Sequence, residues 1–337
     1  MTCFKQYFRA HLKSELRAII CILVSVLVLT FLIGFNAQLT WRYDSNFGRV
    51  PDYNSTLYIP VVVISILAYI LPVMEFSFFK KRINLDCAYS LPISRRTMGA
   101  VHYLTGFIIL SGTFTASYLT NFALLISRGP GWFDFTPMIA HYFLSLLFGF
   151  VMYSMMVFVF NEANTRGDGI WFMILYTFIF PIVVYAIDEI IDSNSLLVSS
   201  YAMPFSTISV VTTTYENMVE MNDFTYKSYF WEKSAFIGWM IFWLVIGVAT
   251  TVAFFLTFGK RRMEKTEEIS DSFLGFRTII PIYAISAMIA FNVSSSVILW
   301  VIIELLTLIG YTIYRRGFHY KKSDIAILCM LLIFLFK

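Results

Sequence analysis

Side chains able to do chemistry are sparse and dispersed in this chain. The four histidines, His11, His102, His141 and His319, stand far apart. A metal site needs three or four convergent ligands, so each histidine reads as a polar residue near a membrane boundary and no metal is expected. The four cysteines, Cys3, Cys21, Cys87 and Cys329, have no CxxC spacing, which argues against both a metal site and a disulfide framework. No phosphate loop of the GxxxxGKS/T type, no GxSxG elbow, no HExxH pair and no GxGxxG turn occurs. Two acidic residues fall inside apolar runs. Glu75 stands a turn before Lys80-Lys81-Arg82 and reads as a carboxylate reaching an inner-leaflet cation, or as a functional group. Glu304 falls near the middle of Ser296–Tyr314, where a charge costs about 2.5–3.5 kcal/mol on insertion scales. It is expected to be neutral and hydrogen-bonded to Ser286 or Thr307, as a structural tie or as a functional group.

The elements that must position these residues are membrane spans. The 337 residues are 58% apolar, 18% aromatic and only 14% charged, with a mean hydropathy of +0.73. A soluble domain carries roughly a quarter of its residues as charges. The apolar runs do not alternate, so they are helices, whose backbone groups are satisfied within the segment. A crossing takes about 20 residues. The runs are Ala18–Phe35, Tyr58–Phe79, Gly99–Ile126, Pro137–Phe160, Ile170–Ile187 and Ala235–Phe258, followed by the pair Phe273–Phe291 and Ser296–Tyr314. A short ninth crossing, Ile325–Phe336, requires its helix to begin near Lys322. The mixed residues before Ala18 make no cleavable signal, and the first run is expected to stay as an anchor.

Lys and Arg set orientation. With the N-terminus in the cytosol, the 25 basic residues all fall inside except Arg42, Arg49, Arg128, Lys227, Lys233 and, if the ninth crossing exists, Lys337. The expectation is a multi-pass protein of the plasma membrane with its N-terminus cytosolic. Residues Thr2–Arg17 space Phe4, Phe8, Leu12 and Leu16 four apart beside Lys5, Arg9, Lys13 and Arg17, as in an amphipathic helix lying along the inner leaflet. The apolar stretch Leu196–Val211, interrupted by Pro204, reads as short helices dipping into the outer leaflet.

The most informative segment is the inner loop from Lys80 to Met98. Basic residues flank a short helix expected over Asn84–Ser90, which Leu91-Pro92 stops, because proline cannot continue a helix and biases the residue before it away from helix. A compact element on the inner face is a shape that a motor subunit can grip; a solvated loop obeying topology is the plainer reading.

At this loop the sequence resembles the membrane subunits of ABC-2 type exporters. Their second and third spans are commonly linked by Asn-x-Asp, then Ser-Leu-Pro, then a small residue before Arg; Asn84, Asp86, Ser90-Leu91-Pro92, Ser94 and Arg95 match. The resemblance covers a six-span core, roughly residues 1–263, up to Lys260-Arg261-Arg262-Met263-Glu264. The region 264–337, with Tyr314-Arg315-Arg316 and Lys321-Lys322-Ser323-Asp324, is similar to Gram-positive permeases of the Ytr-type and bacteriocin-associated systems. The resemblance implies an all-α polytopic fold: a six-span ABC-2 type core with an N-terminal elbow helix, an added C-terminal hairpin and a possible short ninth span. It implies a coupling element in which Arg82, Asn84, Asp86, Tyr89, Leu91, Pro92 and Arg95 meet an ABC ATPase subunit that holds ATP and Mg. It also implies a second, non-identical permease as partner, with export of a peptide, lipid or amphipathic molecule. The chain itself would then be no enzyme, would carry no cofactor and would bind no nucleic acid. The alternative is a membrane immunity or signalling protein that binds a peptide without pumping it. A polytopic membrane enzyme fits least, since its residues are missing.

Overall fold

A computed structural model describes residues 2–36, 40–44, 48–52, 54–128, 135–191, 234–260, 266–268, 270, 272–290 and 297–333. The expected dipping segment Leu196–Val211 lies outside them. The helices are α1 (Thr2–Asn36), α2 (Asn54–Phe76), α3 (Arg82–Tyr89), α4 (Arg95–Arg128), α5 (Phe135–Glu162), α6 (Arg166–Ile191), α7 (Ser234–Phe258), α8 (Phe276–Ala290), α9 (Val297–Arg315) and α10 (Lys322–Ile333). After α1 two short strands, β1 (Thr40–Asp44) and β2 (Gly48–Asp52), pair antiparallel with Trp41 opposite Pro51.

Seven helices among the described residues, namely α1, α2, α4, α5, α6, α7 and α9, are long and apolar enough to cross a membrane. The chain is a polytopic, helical membrane protein. Two expected crossings, Phe273–Phe291 and Ile325–Phe336, run into residues outside the described ones, and the helices described there are shorter. α8 has 15 residues, about 22 Å of helix against about 30 Å of hydrocarbon. α10 does begin at Lys322, but its 12 residues reach only about 18 Å.

The expected break between a surface helix ending at Arg17 and a first span is absent. α1 runs unbroken for 35 residues, because no proline or glycine occurs before Gly34 to interrupt the hydrogen-bond ladder. Its inward face takes in most of the Phe4-Phe8-Leu12-Leu16 stripe and adds polar neighbours. Phe4, Tyr7, Phe8, His11, Leu12 and Glu15 are half-buried, while Leu16 is exposed.

The chain divides into two compact units. One comprises Met1–Phe76, Tyr89–Val157 and Pro204–Arg261; the other comprises Ser77–Ala88, Phe158–Met203 and Arg262–Lys337. In the first, α1, α2 and α7 pack on α4. Its core holds Ile64, Leu71, Phe76, Met98, Leu110, Phe114, Tyr153 and Phe254. Small residues let the helices close up, as is usual inside membranes: a Cβ on Gly149 would lie 2.1 Å from Ile64 Cδ1. Hydroxyls tie the bundle across helices. Tyr103 Oη lies 2.6 Å from Ser154 Oγ, and Thr30 Oγ1 lies 2.8 Å from Ser117 Oγ.

In the second unit α8 packs against α6, α9 and α10, around Phe172, Phe276, Ile279, Met288, Ile303, Tyr311 and Leu331. α9 ends in a Schellman motif: Gly317 N–H donates to Thr312 O at 3.0 Å and Arg316 N–H to Ile313 O at 3.1 Å, with Arg316 in the left-handed region at φ 53°. α10 then starts with Asp324 accepting from the Lys321 N–H at 3.1 Å, the return half of a capping box. Arg315 donates to both Asp324 oxygens, at 2.9 and 3.0 Å. Burial pushes the Asp324 carboxyl up, but the Arg315 and Lys321 hydrogen bonds outweigh it and hold the group below the usual carboxylate range. A depressed carboxylate contributes stability above its unfolded pKa and loses it as pH falls through the folded one. Asp324→Asn is therefore expected to cost about 1–3 kcal/mol near neutrality by removing the charged acceptor of the two Arg315 hydrogen bonds, and to flatten the acid limb of the melting profile below about pH 4. Thermal melting across pH in detergent reads both effects; an unchanged acid limb contradicts the assignment.

Candidate functional site

The loop singled out by sequence has the expected local structure. α3 spans Arg82–Tyr89 and α4 starts at Arg95. Between them Ile93 N–H donates to Leu91 O at 2.7 Å, a tight turn around Pro92. Ser94 then caps α4, its Oγ accepting from the Thr97 N–H at 3.2 Å. Arg82, Asp86, Leu91 and Pro92 are exposed, and Asn84 and Arg95 are half-buried. Tyr89 closes α3, but its side chain lies outside the described ones. Arg82, Asn84 and Asp86 belong to the second unit, whereas Leu91, Pro92 and Arg95 belong to the first.

One residue of this loop, Lys80, differs from its expected place, and one was missed. Arg82 is held within the chain: its Nε donates to Thr266 O at 2.9 Å, and its guanidinium lies 4.0 Å from Glu267 and 3.7 Å from Glu268. That anchors the start of α3. Lys80 is not a solvated topology charge; it is 2% exposed. Its Nζ donates to the carbonyls of Phe160, Asn161 and Ala163. The missed residue is Ile83, 78% exposed, an apolar group on the same short helix as Asp86. The alternation of Ile83 and Leu85 with polar neighbours was the available signal, since Leu85 is buried.

Thr165 caps α6, its Oγ1 accepting from the Asp168 N–H at 3.0 Å. Ser270 Oγ donates to Asp168 Oδ2 at 2.6 Å and accepts from the Asn164 N–H at 2.8 Å. Arg166 Nε donates to Ser77 O at 3.0 Å. The base of α3 thus stands on a hydrogen-bonded framework built from four short segments of one unit.

The second candidate is a cluster that sequence reasoning left as separate residues. α1 supplies Tyr7 and His11, α2 supplies Glu75 and α4 supplies His102. Glu75 Oε2 accepts from His11 Nε2 and from His102 Nδ1, both at 3.0 Å. His102 Nε2 lies 3.3 Å from Tyr7 Oη, and the two imidazole centroids are 4.0 Å apart. Glu75 and His102 are each 6% exposed. The expected partner of Glu75, an inner-leaflet cation, is replaced by two histidines on other helices. His11, Glu75 and His102 are also the group of three that could hold a metal ion among the described residues. His141 is buried on α5, with Nδ1 3.3 Å from Tyr118 Oη, and His319 is exposed.

Glu304 sits half-buried on α9, and its Oε2 is enclosed with no hydrogen-bond partner among the described residues. The expected bond to Thr307 does not form, because the Thr307 hydroxyl donates to Ile303 O at 2.8 Å in its own helix. Such back-bonding to the preceding turn competes with side-chain partners. No protein-family model, curated protein or solved structure matches the chain, so its function rests on the residues themselves and their geometry.

Proposed function

We propose that this chain is the membrane-spanning permease subunit of an ATP-driven exporter of the ABC-2 type, whose motor is a separate ATPase chain binding ATP and Mg. The observation that carries the reading is the short helix Arg82–Tyr89, stopped before Leu91-Pro92. It bears the Asn84, Asp86, Ser90-Leu91-Pro92, Ser94 and Arg95 pattern and exposes Ile83, Asp86 and Leu91. An exposed apolar residue beside an acid on an anchored helix gives a partner both a hydrophobic grip and an ionic contact. In this reading the chain lies in the plasma membrane with its N-terminus inside, and the bias of Lys and Arg supports a cytosolic position for this loop. A second, non-identical permease pairs across the first and fifth spans, and the cargo is a peptide, a lipid or an amphipathic molecule. The membrane immunity or signalling reading has no observation of its own in its favour.

The test is purification of the chain from its native membrane, identification of co-eluting ATPase subunits, and reconstitution of the complex. Asp86→Lys and Leu91→Asp are expected to abolish substrate-stimulated ATP hydrolysis and transport at near-normal abundance, since neither side chain packs in the core. Absence of any ATPase from the native preparation, or full transport in both variants, overturns the proposal.

A further inference from the structure

We infer that His11, Glu75 and His102 form a binding site for a divalent first-row transition ion, Zn2+ in the first instance, that fastens α1 to α2 and α4. This stands apart from the exporter reading and does not depend on it. The first argument is geometric. His11 Nε2, Glu75 Oε2 and His102 Nδ1 all lie within 4.8 Å of one another, with both nitrogens 3.0 Å from the carboxylate oxygen. Ligand atoms around a tetrahedral ion with bonds of about 2.0–2.1 Å are separated by roughly 3.3–3.4 Å. A few tenths of an ångström of opening brings the two nitrogen–carboxylate contacts to that separation. The three residues come from three packed helices, 64 and 27 residues apart for the two histidine–glutamate pairs, so the convergence is set by the tertiary fold.

The second argument concerns protons. Without an ion, Glu75 is served by an N–H from each imidazole. His102 then carries its proton on Nδ1 and presents a lone pair on Nε2 to the Tyr7 hydroxyl. With an ion, His102 turns its Nδ1 lone pair inward, carries its proton on Nε2 and donates it to Tyr7 Oη. That is the outer partner which metal-bound histidines ordinarily require. Tyr7, at 3.3 Å from Nε2, can play either part because a hydroxyl both donates and accepts.

The third argument is charge and chemical type. Lys80, the nearest basic residue after Glu75 in sequence, is committed to backbone carbonyls. Keeping a carboxylate's charge out of water is costly, and a dication compensates it. Two imidazoles and one carboxylate suit Zn2+ and its neighbours, whereas Ca2+ and Mg2+ take oxygen ligands. Three protein ligands leave one coordination position for water or a small anion.

The experiment uses the full-length chain, freed of any polyhistidine tag and held in detergent or nanodiscs. Zn2+ is titrated against a chromophoric chelator, bound metal is counted by elemental analysis, and Co2+ serves as a spectroscopic probe. Expected are one ion per chain, a visible Co2+ band of tetrahedral or five-coordinate intensity, and a Zn2+-dependent rise in melting temperature. His102→Ala and Glu75→Gln should each weaken binding by at least about a hundredfold, and Tyr7→Phe by roughly ten- to a hundredfold. His11→Ala sits at the more exposed corner and makes the same comparison if a buried variant fails to fold. Substoichiometric binding by the wild type, or unchanged affinity in His11→Ala or Glu75→Gln, overturns the site and leaves a proton-only cluster.

Discussion

Gly106→Leu is expected to abolish recovery of folded protein, and Gly106→Ala to lower stability by about 1–3 kcal/mol, the usual cost of overpacking. A Cβ at residue 106 would lie 2.1 Å from Tyr153 Oη, 3.0 Å from its Cζ and 3.3 Å from Glu75 Cγ. Tyr153 cannot swing aside. It is fully buried, donates its hydroxyl to Tyr103 O at 3.1 Å and packs its ring 5.4 Å from that of Tyr103. On helix propensity alone, Gly→Ala at the middle of α4 should stabilise by about 1 kcal/mol; contact below van der Waals distance reverses the sign. Tyr153→Phe removes the Oη and should recover part of the loss in Gly106→Ala, so the pair should be non-additive. Melting of the four proteins in detergent decides the matter. A more stable Gly106→Ala variant would show that α4 has room there.

Lys80→Met should lower stability by about 3 kcal/mol, with membrane orientation unchanged because Lys81, Arg82, Arg95 and Arg96 remain. α5 ends at Glu162, and its last carbonyls have no partner within the helix. Lys80 Nζ takes those of Phe160 at 2.8 Å and Asn161 at 3.1 Å, and also that of Ala163, while lying 5.0 Å from the Phe160 ring centroid. Hydrogen bonds to a charged group contribute about 1.5–3 kcal/mol each, and a cation at a helix C-terminus adds to this. Desolvation of the ammonium offsets part of the total. Methionine keeps the stem and drops every one of these contacts. Lys80→Arg should fall between the two, because a planar guanidinium fork does not match three converging carbonyls. Equal melting of wild type and Lys80→Met would show that the carbonyls are satisfied without the ammonium.

By itself the sequence determined what is local. Run length and the absence of alternation marked the seven long helices, since a span is an apolar stretch of a given length whatever surrounds it. The break at Leu91-Pro92 was legible for the same reason, as proline acts within a few residues. Only the tertiary structure decided which side chains meet. Histidines at 11 and 102 became one cluster with Glu75, and Lys80 left the loop to cap α5. Thr307 turned to its own backbone rather than to Glu304, and α1 continued through Arg17 with Tyr7, His11 and Glu15 joining Phe4, Phe8 and Leu12 on its half-buried face. Each of these outcomes depends on the rotation of one helix against another, and successive residues on a helix point about 100° apart. A small turn of α1, α2 or α4 would therefore send His11, Glu75 or His102 into lipid. That rotation is set by small residues at helix contacts, such as Gly106 and Gly149, and by the rigid rings packed over them.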